Sequence, residues 1–403
     1  MRIKNDELVL IDGTLREGEQ SAGVFFTPAE KVSLLKFMDR AGIHIADCGM
    51  PAVSRQEFMT LKKLASIPGL KIRVGASVRC LKDEILLFKK TGAADCFIIA
   101  PVSDIHISGK FNMTHSEYVG YVKDVVKYAE NLGVKHIHIV FEDATRAETS
   151  FIEKMFSELC RYDAEAFYIC DTIGVATPEL MGNIVERLVR LSEKNKKPGI
   201  GVHCHNDFGF ALANTVAAYE AGARYVTFTQ NGIGERAGNA KFHELVMYLK
   251  KIKKVNIDCD LNLLSGLSKK VEEMSGIFMP PTEPVVGFNA FRHESGIHVS
   301  GLLKNRKIYE EHRPEDIGRK NEFVVGKHSG LSIIDKLLGE LFKGRKFGVE
   351  EKKKILSAVK ISYVKNNKKR NIKMLADLNG FYSTALGGLS VKEFVEIVRE
   401  TVE

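Results

Sequence analysis

Two short segments of this 403-residue chain combine residue types that bind metal ions. The first, D-G-T-L-R-E-G-E-Q at residues 12–20, contains Arg16 beside Glu17. The second, H-C-H-N-D, places His203 and His205 two residues apart, on the same face of a β-strand. A carboxylate and two neutral imidazoles make a three-ligand site that leaves positions open for substrate on a divalent metal. We therefore predict an enzyme with Glu17, His203 and His205 as metal ligands.

The ligand types leave the identity of the metal open. Oxygen and nitrogen ligands suit Mg, Mn or Zn, and Cys204 between the histidines faces the other side of the strand. Arg16 beside Glu17 could be a simple surface ion pair. A guanidinium next to a metal is better suited to stabilising a developing enolate or alkoxide, and we predict a catalytic role for Arg16.

Eight β-type runs follow one another along the chain, separated by longer stretches of helical pattern. The runs lie at residues 8–12, 43–48, 71–77, 96–100, 136–141, 166–170, 199–205 and 225–229. Helix-like segments between them include residues 28–40, 116–132 and 178–195. This α/β alternation predicts an eight-stranded parallel TIM-type (β/α)8 barrel, with an open doubly wound sheet as the alternative.

Reactive residue types follow every one of the eight runs, and active sites of such barrels lie at the C-terminal strand ends. In chain order they are Arg16, Glu17 and Gln20; Asp47; Arg79; Ser103 and His106; Glu142, Asp143 and Arg146; Asp171 and Thr172; His203 and His205; and Asn231, Glu235 and Asn239. Random placement would not supply a candidate at every strand end. We therefore expect one site at this face of the barrel.

The segment N-G-I-G-E-R-A-G-N at residues 231–239 follows the last predicted strand. Its glycine spacing is a weak match to a nucleotide-binding motif, because no acidic residue lies at the expected distance. A tight loop over the barrel mouth fits better, with Asn239 reaching the metal.

Composition narrows the class of protein further. Apolar residues make up 44% of the chain, and no apolar run approaches the ~18 residues that cross a bilayer. Without a signal-peptide pattern, and with seven scattered cysteines and no C-x-x-C pair, we predict a cytoplasmic protein with reduced thiols and no membrane contact. The net charge is +8, but the lysine clusters lack interleaved aromatics, so solvated surfaces fit better than nucleic-acid binding.

The pattern divides the chain into three parts. We predict a catalytic barrel over residues 1–260, a linker and subdomain over 261–330, and a mostly helical C-terminal extension over 331–403. His298 lies outside the barrel, and taken alone it fits a structural histidine.

Together these motifs resemble the Claisen-condensing acyltransferases that include homocitrate synthase, 2-isopropylmalate synthase and citramalate synthase. The resemblance covers roughly residues 8–335. Related aldol-cleaving lyases carry a cysteine in the loop after the last strand, and the absence of one here favours a synthase. The matching segments are residues 12–20, 203–214, 231–239 and 293–298, with Tyr309 and Glu310.

The resemblance implies a role for each residue of the metal site. Glu17, His203 and His205 would hold the metal, with Asn239 as a weaker fourth ligand. The metal would chelate a 2-oxo acid and polarise its ketone. Arg16 would stabilise the oxygen that gains negative charge.

Substrate binding is predicted at the neighbouring strand ends. The resemblance implies that Thr172 binds the substrate carboxylate. We also predict that substrate is bound by Arg16, Asp47, Arg79 and His106, because these residues lie at predicted strand ends.

The resemblance also implies a base that removes a proton from the methyl group of acetyl-CoA. His298 would be this base, assisted by Tyr309 and Glu142. His298 and Tyr309 would come from the partner subunit of a homodimer with exchanged C-terminal regions. Hydrolysis of the thioester would then make the reaction irreversible.

The 2-oxo acid itself stays open. Homocitrate synthases hold 2-oxoglutarate with a histidine after the third strand and an arginine and a serine on the fifth, where this chain has Leu81, His138 and Val140. These three residues weaken the case for 2-oxoglutarate. Glu17 favours 2-oxoglutarate instead, because isopropylmalate synthases usually have aspartate at this position. A citramalate, citrate or other 2-alkylmalate synthase, an aldol-cleaving lyase and a non-catalytic binding barrel are the alternatives.

Overall fold

The fold is described from a computed structural model, which covers residues 7–195 and 198–385 and positions 393, 396, 397 and 400. The chain forms two compact units. The first contains the chain up to Asp260 together with Leu267–Ile277, and the second contains Leu261–Gly266 and the chain from Phe278 onward. The finer boundaries near residues 260 and 330 stay predictions.

Eight parallel strands close into a barrel in the first unit, in chain order. Strand pairing between the last and the first strand completes the closure, and Val9 lies opposite Tyr225. The predicted TIM-type barrel is confirmed. The strands are β1 (Val9–Asp12), β2 (Ile45–Asp47), β3 (Arg73–Arg79), β4 (Asp95–Pro101), β5 (His136–Glu142), β6 (Ala164–Asp171), β7 (Gly199–Cys204) and β8 (Tyr225–Phe228).

Helices follow the strands and begin at recognisable capping residues. Thr27 accepts a hydrogen bond from the backbone of Glu30, whose side chain returns one to Thr27, and this capping box starts α1. In chain order, the α-helices up to residue 275 are α1 (Pro28–Arg40), α2 (Arg55–Ala65), α3 (Lys82–Thr91), α4 (Asp104–Phe111), α5 (His115–Asn131), α6 (Thr149–Leu159), α7 (Pro178–Glu193), α8 (Ala211–Glu220), α9 (Phe242–Met247) and α10 (Leu264–Ser275).

The described part of the second unit contains a small parallel sheet and the α-helices α11 to α13. The sheet pairs β9 (Arg292–His293) with β10 (Glu322–Phe323). The helices are α11 (Gly296–Lys304), α12 (Leu331–Leu341) and α13 (Val349–Ala385), so the expected helical C-terminal region is present. Val299, Ile333 and Ile334 form its buried core.

Two findings bear on the expected class of protein. All seven cysteines are free and buried. Within the described part of the chain, no helix combines the length and the apolar character that a bilayer crossing requires.

A buried ion-pair network lies at the N-terminal ends of the barrel strands. Arg73 donates hydrogen bonds of 2.6 Å to Asp95 Oδ1 and to Glu165 Oε1. Asp95, His136 and Glu165 are also close enough together to hold a metal ion. The guanidinium of Arg73 already supplies the positive charge there, so the network is structural.

Replacing Arg73 by methionine is expected to lower the free energy of unfolding by about 3–5 kcal/mol, because it leaves two buried carboxylates without their cation. Arg190→Met on α7 is the matched control. Arg190 pairs with Glu186, and because the two side chains are 68% and 52% exposed we expect a loss of at most ~1 kcal/mol. Chemical denaturation measures both values, and equal losses would contradict the structural role of Arg73.

Candidate active site

The first unit has an open cavity of about 280 Å³ at the C-terminal ends of the strands. All eight strands or the loops that follow them contribute to its lining, as the barrel architecture predicts. Nine of the residues predicted from sequence line the cavity: Arg16, Glu17, Gln20, Asp47, Glu142, Thr172, His203, His205 and Glu235.

Glu17, His203 and His205 form a group that could hold a metal ion, with their ligand atoms within 4.8 Å of one another. Oε2 of Glu17 lies 3.8 Å from Nε2 of His203, and Oε1 lies 3.6 Å from Nε2 of His205. Asn239 is adjacent, because its Nδ2 lies 3.3 Å from Nε2 of His203. Its buried Oδ1 has no hydrogen-bond partner among the described residues, so the fourth predicted ligand keeps a free oxygen beside the group.

Local backbone structure explains this convergence. Strand alternation turns His203 toward the cavity and buries Cys204 on the other face of β7. After β1 the chain turns back, because the backbone amides of Arg16 and Glu17 donate to the carbonyl oxygen of Gly13 at 3.0 and 2.7 Å. The carboxylate of Glu17 thereby reaches the histidines.

The protonation states of the group suit a cation. Burial lowers the pKa of His203 to about 3 and also lowers the pKa of His205. Burial alone would raise the pKa of Glu17, but the charges of Arg16 and then of the two histidines lower it to about 2. At neutral pH the group therefore offers neutral imidazoles and an ionised carboxylate.

Thr227 determines which nitrogen of His203 can bind a metal. Its hydroxyl donates to the carbonyl oxygen of Val202 at 3.0 Å and therefore accepts from Nδ1 of His203 at 2.8 Å. Nε2 is left without a proton and faces Glu17. The sequence motifs do not include Thr227; its inward position on β8, next to the histidine strand, is the signal that identifies it.

Arg16 is held by two carboxylates. Its Nε donates to Oδ2 of Asp47 at 2.8 Å, and its Nη1 pairs with Glu17. Ser77, a second residue missed from the sequence, donates to the same oxygen of Asp47 at 2.7 Å. Asp47, predicted to bind substrate, thus orients the guanidinium, while its Oδ1 has no partner among the described residues.

The remaining predicted substrate residues occupy different environments. Thr172 lines the cavity, and its hydroxyl accepts from the backbone amide of Asp143 at 2.8 Å. His106 lies beside Glu142, with Nδ1 3.5 Å from Oε2. Arg79 pairs with Glu84 on α3 and is mostly exposed, so it is not part of the described cavity lining.

Glu142 lines the cavity, and both of its carboxylate oxygens accept from Lys110 at 2.9 Å. His298 and Tyr309 belong to the second unit, where their rings stack with centroids 4.2 Å apart. The roles of these three residues in proton removal stay predictions.

Some reactive residue types at the strand ends hold loops instead. Asp171 accepts from Thr145 Oγ1 at 2.8 Å and from the backbone amide of Val175 at 3.0 Å. Asp143 binds Arg146 through both carboxylate oxygens. Residue type alone does not separate such buried loop contacts from catalytic groups.

The loop at residues 231–239 closes over the strand ends as predicted. Arg236 donates from Nε to Oδ1 of Asp207 and from Nη2 to the carbonyl oxygen of Thr172, both at 2.7 Å. Gly238 has a φ of +79°, and a Cβ there would lie 1.8 Å from the carbonyl oxygen of Gly232. This close approach requires glycine and brings Asn239 to the metal group.

Asp12 begins the first motif but has a structural role. It is fully buried, accepts from the backbone amide of Thr14 at 2.7 Å, and accepts from Nε2 of Gln230 at 2.6 Å. Burial raises its pKa from the ordinary value of 3.8 to about 6.

Asp12→Asn tests this pKa shift. A raised pKa means that the folded chain holds the proton more tightly, so the stabilising contribution of Asp12 is complete below pH 4 and is lost as the pH rises through 6. We expect the free energy of unfolding of the wild type, relative to Asp12→Asn, to fall by about 2 kcal/mol between pH 4 and 7. Denaturation at several pH values measures this difference, and a constant value would contradict the shift.

Sequence comparison connects this site to known proteins. Residues 7–271 match the HMGL-like family model. The chain belongs to the HMGL-like family. Residues 285–367 match the homocitrate synthase post-HMGL domain-like model, so the relationship expected from the motifs is confirmed.

Relatives of this HMGL-like chain have synthase names. Homocitrate synthase from Methanopyrus kandleri is 36% identical over 359 residues, which cover 88% of this chain and 86% of that one. The 2-isopropylmalate synthase from Sulfurisphaera tokodaii is 34% identical over 376 residues, covering 93% and 96%. A Methanopyrus kandleri protein provisionally named (R)-citramalate synthase is 39% identical over 336 residues, and this chain spans 65% of its length.

Solved structures of lower identity share the barrel. Hydroxymethylglutaryl-CoA lyase from Pseudomonas aeruginosa has a TM-score of 0.57 at 18% identity, covering 68% of this chain and 96% of that one. HMG-CoA lyase from Brucella melitensis has a TM-score of 0.58 at 16% identity, covering 68% and 100%. At these identities the likeness concerns the fold alone.

Proposed function

We propose that this HMGL-like chain is an acyltransferase that condenses acetyl-CoA with a 2-oxo acid and water, giving a 2-hydroxy-2-carboxymethyl acid and CoA. The observation that carries the proposal is the convergence of Glu17, His203 and His205 in one cavity beside Arg16. Relatives named homocitrate, 2-isopropylmalate and citramalate synthase, at 34–39% identity, support the same class.

Glu17, His203, His205 and Asn239 would hold a divalent metal, Mg, Mn or Zn. When bound, the metal would supply a Lewis acid for the ketone of the 2-oxo acid. Thr227 keeps His203 in the tautomer whose Nε2 is free to coordinate.

Arg16 would stabilise the negative charge that develops on the reacting oxygen. The hydrogen bond to Asp47 fixes the guanidinium before substrate binds, so little reorganisation is needed during the reaction. Thr172 lines the cavity, and its hydroxyl would bind the substrate carboxylate.

His298 would remove the proton from the methyl group of acetyl-CoA, with Tyr309 and Glu142 assisting. The stacked rings of His298 and Tyr309 support a shared role for these two residues. A general base of this kind contributes roughly 10²–10⁴-fold to the rate.

A lyase of the same barrel is less well supported. The solved lyase structures are below 20% identical, whereas the more similar relatives have synthase names. The loop at residues 231–239 also lacks the cysteine that the resemblance associates with the lyases.

The test of the proposal is release of free thiol from acetyl-CoA with pyruvate, 2-oxoisovalerate, 2-oxoglutarate or oxaloacetate, with and without EDTA. We expect thiol release that requires one of the acids and that EDTA abolishes. If no acid supports release, the synthase proposal is wrong. Release that is insensitive to EDTA would contradict only the role of the metal.

His298→Ala is expected to reduce condensation about 10²–10⁴-fold while leaving 2-oxo acid binding nearly unchanged, because the base acts on the acetyl group. Steady-state rates and calorimetric titration with the 2-oxo acid measure the two effects. Parallel loss of binding would contradict the assignment of His298 as the base.

We also propose a homodimer in which the C-terminal region of one subunit completes the site of the other. Mixing Glu17→Ala with His298→Ala tests this arrangement, because each heterodimer would then regain one intact site. Random reassociation of a two-fold dimer is expected to restore roughly a quarter of the wild-type activity. Failure to recover activity in verified heterodimers would contradict the exchange.

The free, buried cysteines support a cytoplasmic location, where thiols stay reduced. The lysine-rich segments do not suggest a nucleic-acid partner, and the proposed partners are acetyl-CoA, the 2-oxo acid and a second copy of the chain.

A further inference from the structure

We propose that the 2-oxo acid substrate of this chain carries an uncharged aliphatic side chain and is not a dicarboxylate. This inference rests on the proposed condensing function and identifies the substrate class of the same cavity. It follows from the residues opposite the metal-binding group and from the ion pairs already made by the cationic side chains.

The barrel topology identifies the wall that the substrate side chain would meet. Glu17 follows β1, His203 lies on β7 and His205 directly follows β7, so the metal-binding group lies on either side of β8. In a closed barrel of eight strands in chain order, β4 lies across the barrel from β8. A 2-oxo acid bound through its ketone and carboxylate would direct its third substituent away from these ligands, toward β4 and its neighbours.

This opposite wall is apolar. Phe97 and Ile99 of β4 and Val140 of β5 line the cavity, followed by Cys170 of β6. The fully buried His138 holds the ring of Phe97 in place, because the two rings stack with centroids 4.6 Å apart. A packed wall of this kind binds methyl and methylene groups and offers no partner for a carboxylate.

Of the three positions that the sequence suggested for acid selection, only Val140 belongs to the described cavity lining. Nε2 of His138 is hydrogen-bonded to Asp95 at 2.8 Å, and Nδ1 is hydrogen-bonded to the hydroxyl of Tyr168 at 3.0 Å. Both ring nitrogens therefore already have partners. Leu81 precedes α3 and is 38% exposed.

The cationic groups of the described lining are already paired. Arg16 binds Asp47 and Glu17, and Arg236 binds Asp207 through two hydrogen bonds of 2.7 and 3.0 Å. The ionisable side chain on the β5 side is Glu142, whose carboxylate is paired with Lys110 and supplies no cation for a second substrate carboxylate. Burying that carboxylate without a cation is strongly unfavourable.

The first test compares kcat/KM for pyruvate, 2-oxobutyrate and 2-oxoisovalerate with kcat/KM for oxaloacetate and 2-oxoglutarate. We expect the best aliphatic acid to exceed both dicarboxylates by at least ~100-fold. If a dicarboxylate is the best substrate, this inference is wrong although the condensing function stands. If no acid releases thiol, the proposed function itself fails.

The second test uses two substitutions on opposite faces of β4. Ile99→Val removes one methyl group from the cavity wall, whereas Ile98→Val removes one from the fully buried outer face. We expect Ile99→Val to raise the preference for 2-oxoisovalerate over pyruvate about fourfold, the effect of one buried methylene. Ile98→Val is expected to leave that ratio unchanged.

The same two variants test whether the 2-oxo acid or the acyl donor contacts this wall. Each variant is assayed with propionyl-CoA and acetyl-CoA at a fixed 2-oxo acid. An unchanged donor preference in Ile99→Val supports the assignment. A shift in donor preference without a shift among the 2-oxo acids would overturn it.

Discussion

Replacing His203 by alanine is expected to abolish turnover and to remove the metal from the protein. The imidazole supplies Nε2 beside Glu17 and His205, and its loss would leave one imidazole, one carboxylate and the weaker Asn239 to hold the metal. Loss of several kcal/mol of charge stabilisation corresponds to a decrease in kcat on the order of 1,000-fold or more. Steady-state kinetics and metal analysis of the purified variant measure the two effects together.

Cys204→Ala is the matched control for this substitution. Cys204 lies between the two histidines in sequence but is buried on the opposite face of β7. We expect the control to retain its metal and nearly all of its activity. Full activity of His203→Ala, or equal loss of activity in both variants, would contradict the metal site.

Arg16→Lys is expected to lower kcat about 10²–10³-fold, with a much smaller change in metal content. Lysine keeps the positive charge but cannot donate to Asp47 and Glu17 at once in the geometry of the guanidinium. The stabilising group would therefore be misplaced relative to the reacting oxygen. Rates measured at saturating substrate, with metal analysis alongside, separate this effect from loss of the cofactor.

The control for Arg16→Lys is Arg79→Lys, since Arg79 lies outside the described cavity lining and its side chain, which pairs with Glu84, is 67% exposed. It should leave kcat unchanged. A decrease in kcat of similar size in both variants would show that Arg16 has no special role in stabilising charge.

The barrel could be predicted because its strands are short, apolar and regularly separated by helical pattern. The capping box at Thr27 and Glu30, for example, marks the start of α1 in the sequence itself. The predicted strand ends differ from the observed ones by at most two residues, as for the run at 71–77 and β3 (Arg73–Arg79). Local periodicity determines these elements, and closure of the sheet follows from their number and order.

The metal group could be predicted for a different reason. His203 and His205 are two residues apart on one strand, and Glu17 follows a strand that must end at the same face of the barrel. The supporting residues Thr227 and Ser77 were not predictable in this way. Their roles depend on hydrogen bonds across neighbouring strands, and a lone hydroxyl residue in a strand has no distinctive sequence pattern.

Residue type also predicted functional roles for residues whose observed contacts are structural. Asp171 and Asp143 follow strands six and five, as catalytic carboxylates of a barrel would, but both are buried and bind loop groups. Asn231 likewise donates to the carbonyl oxygen of Ser268 on α10. The loops at the carboxyl ends of the strands contain buried polar groups that need hydrogen-bond partners. Aspartate and asparagine serve as such partners and also as catalytic residues, so residue type does not distinguish the two roles.

The most direct test of the central claim is the fate of the acetyl carbons. The metal-loaded protein is incubated with acetyl-CoA labelled with ¹³C in both acetyl carbons and with an aliphatic 2-oxo acid, and the products are analysed by mass spectrometry. We expect a hydroxy dicarboxylic acid that contains both labelled carbons and forms in equal amount with free CoA. Labelled acetate with free CoA and no condensed product would contradict it, because the protein would then hydrolyse the thioester without forming a carbon–carbon bond.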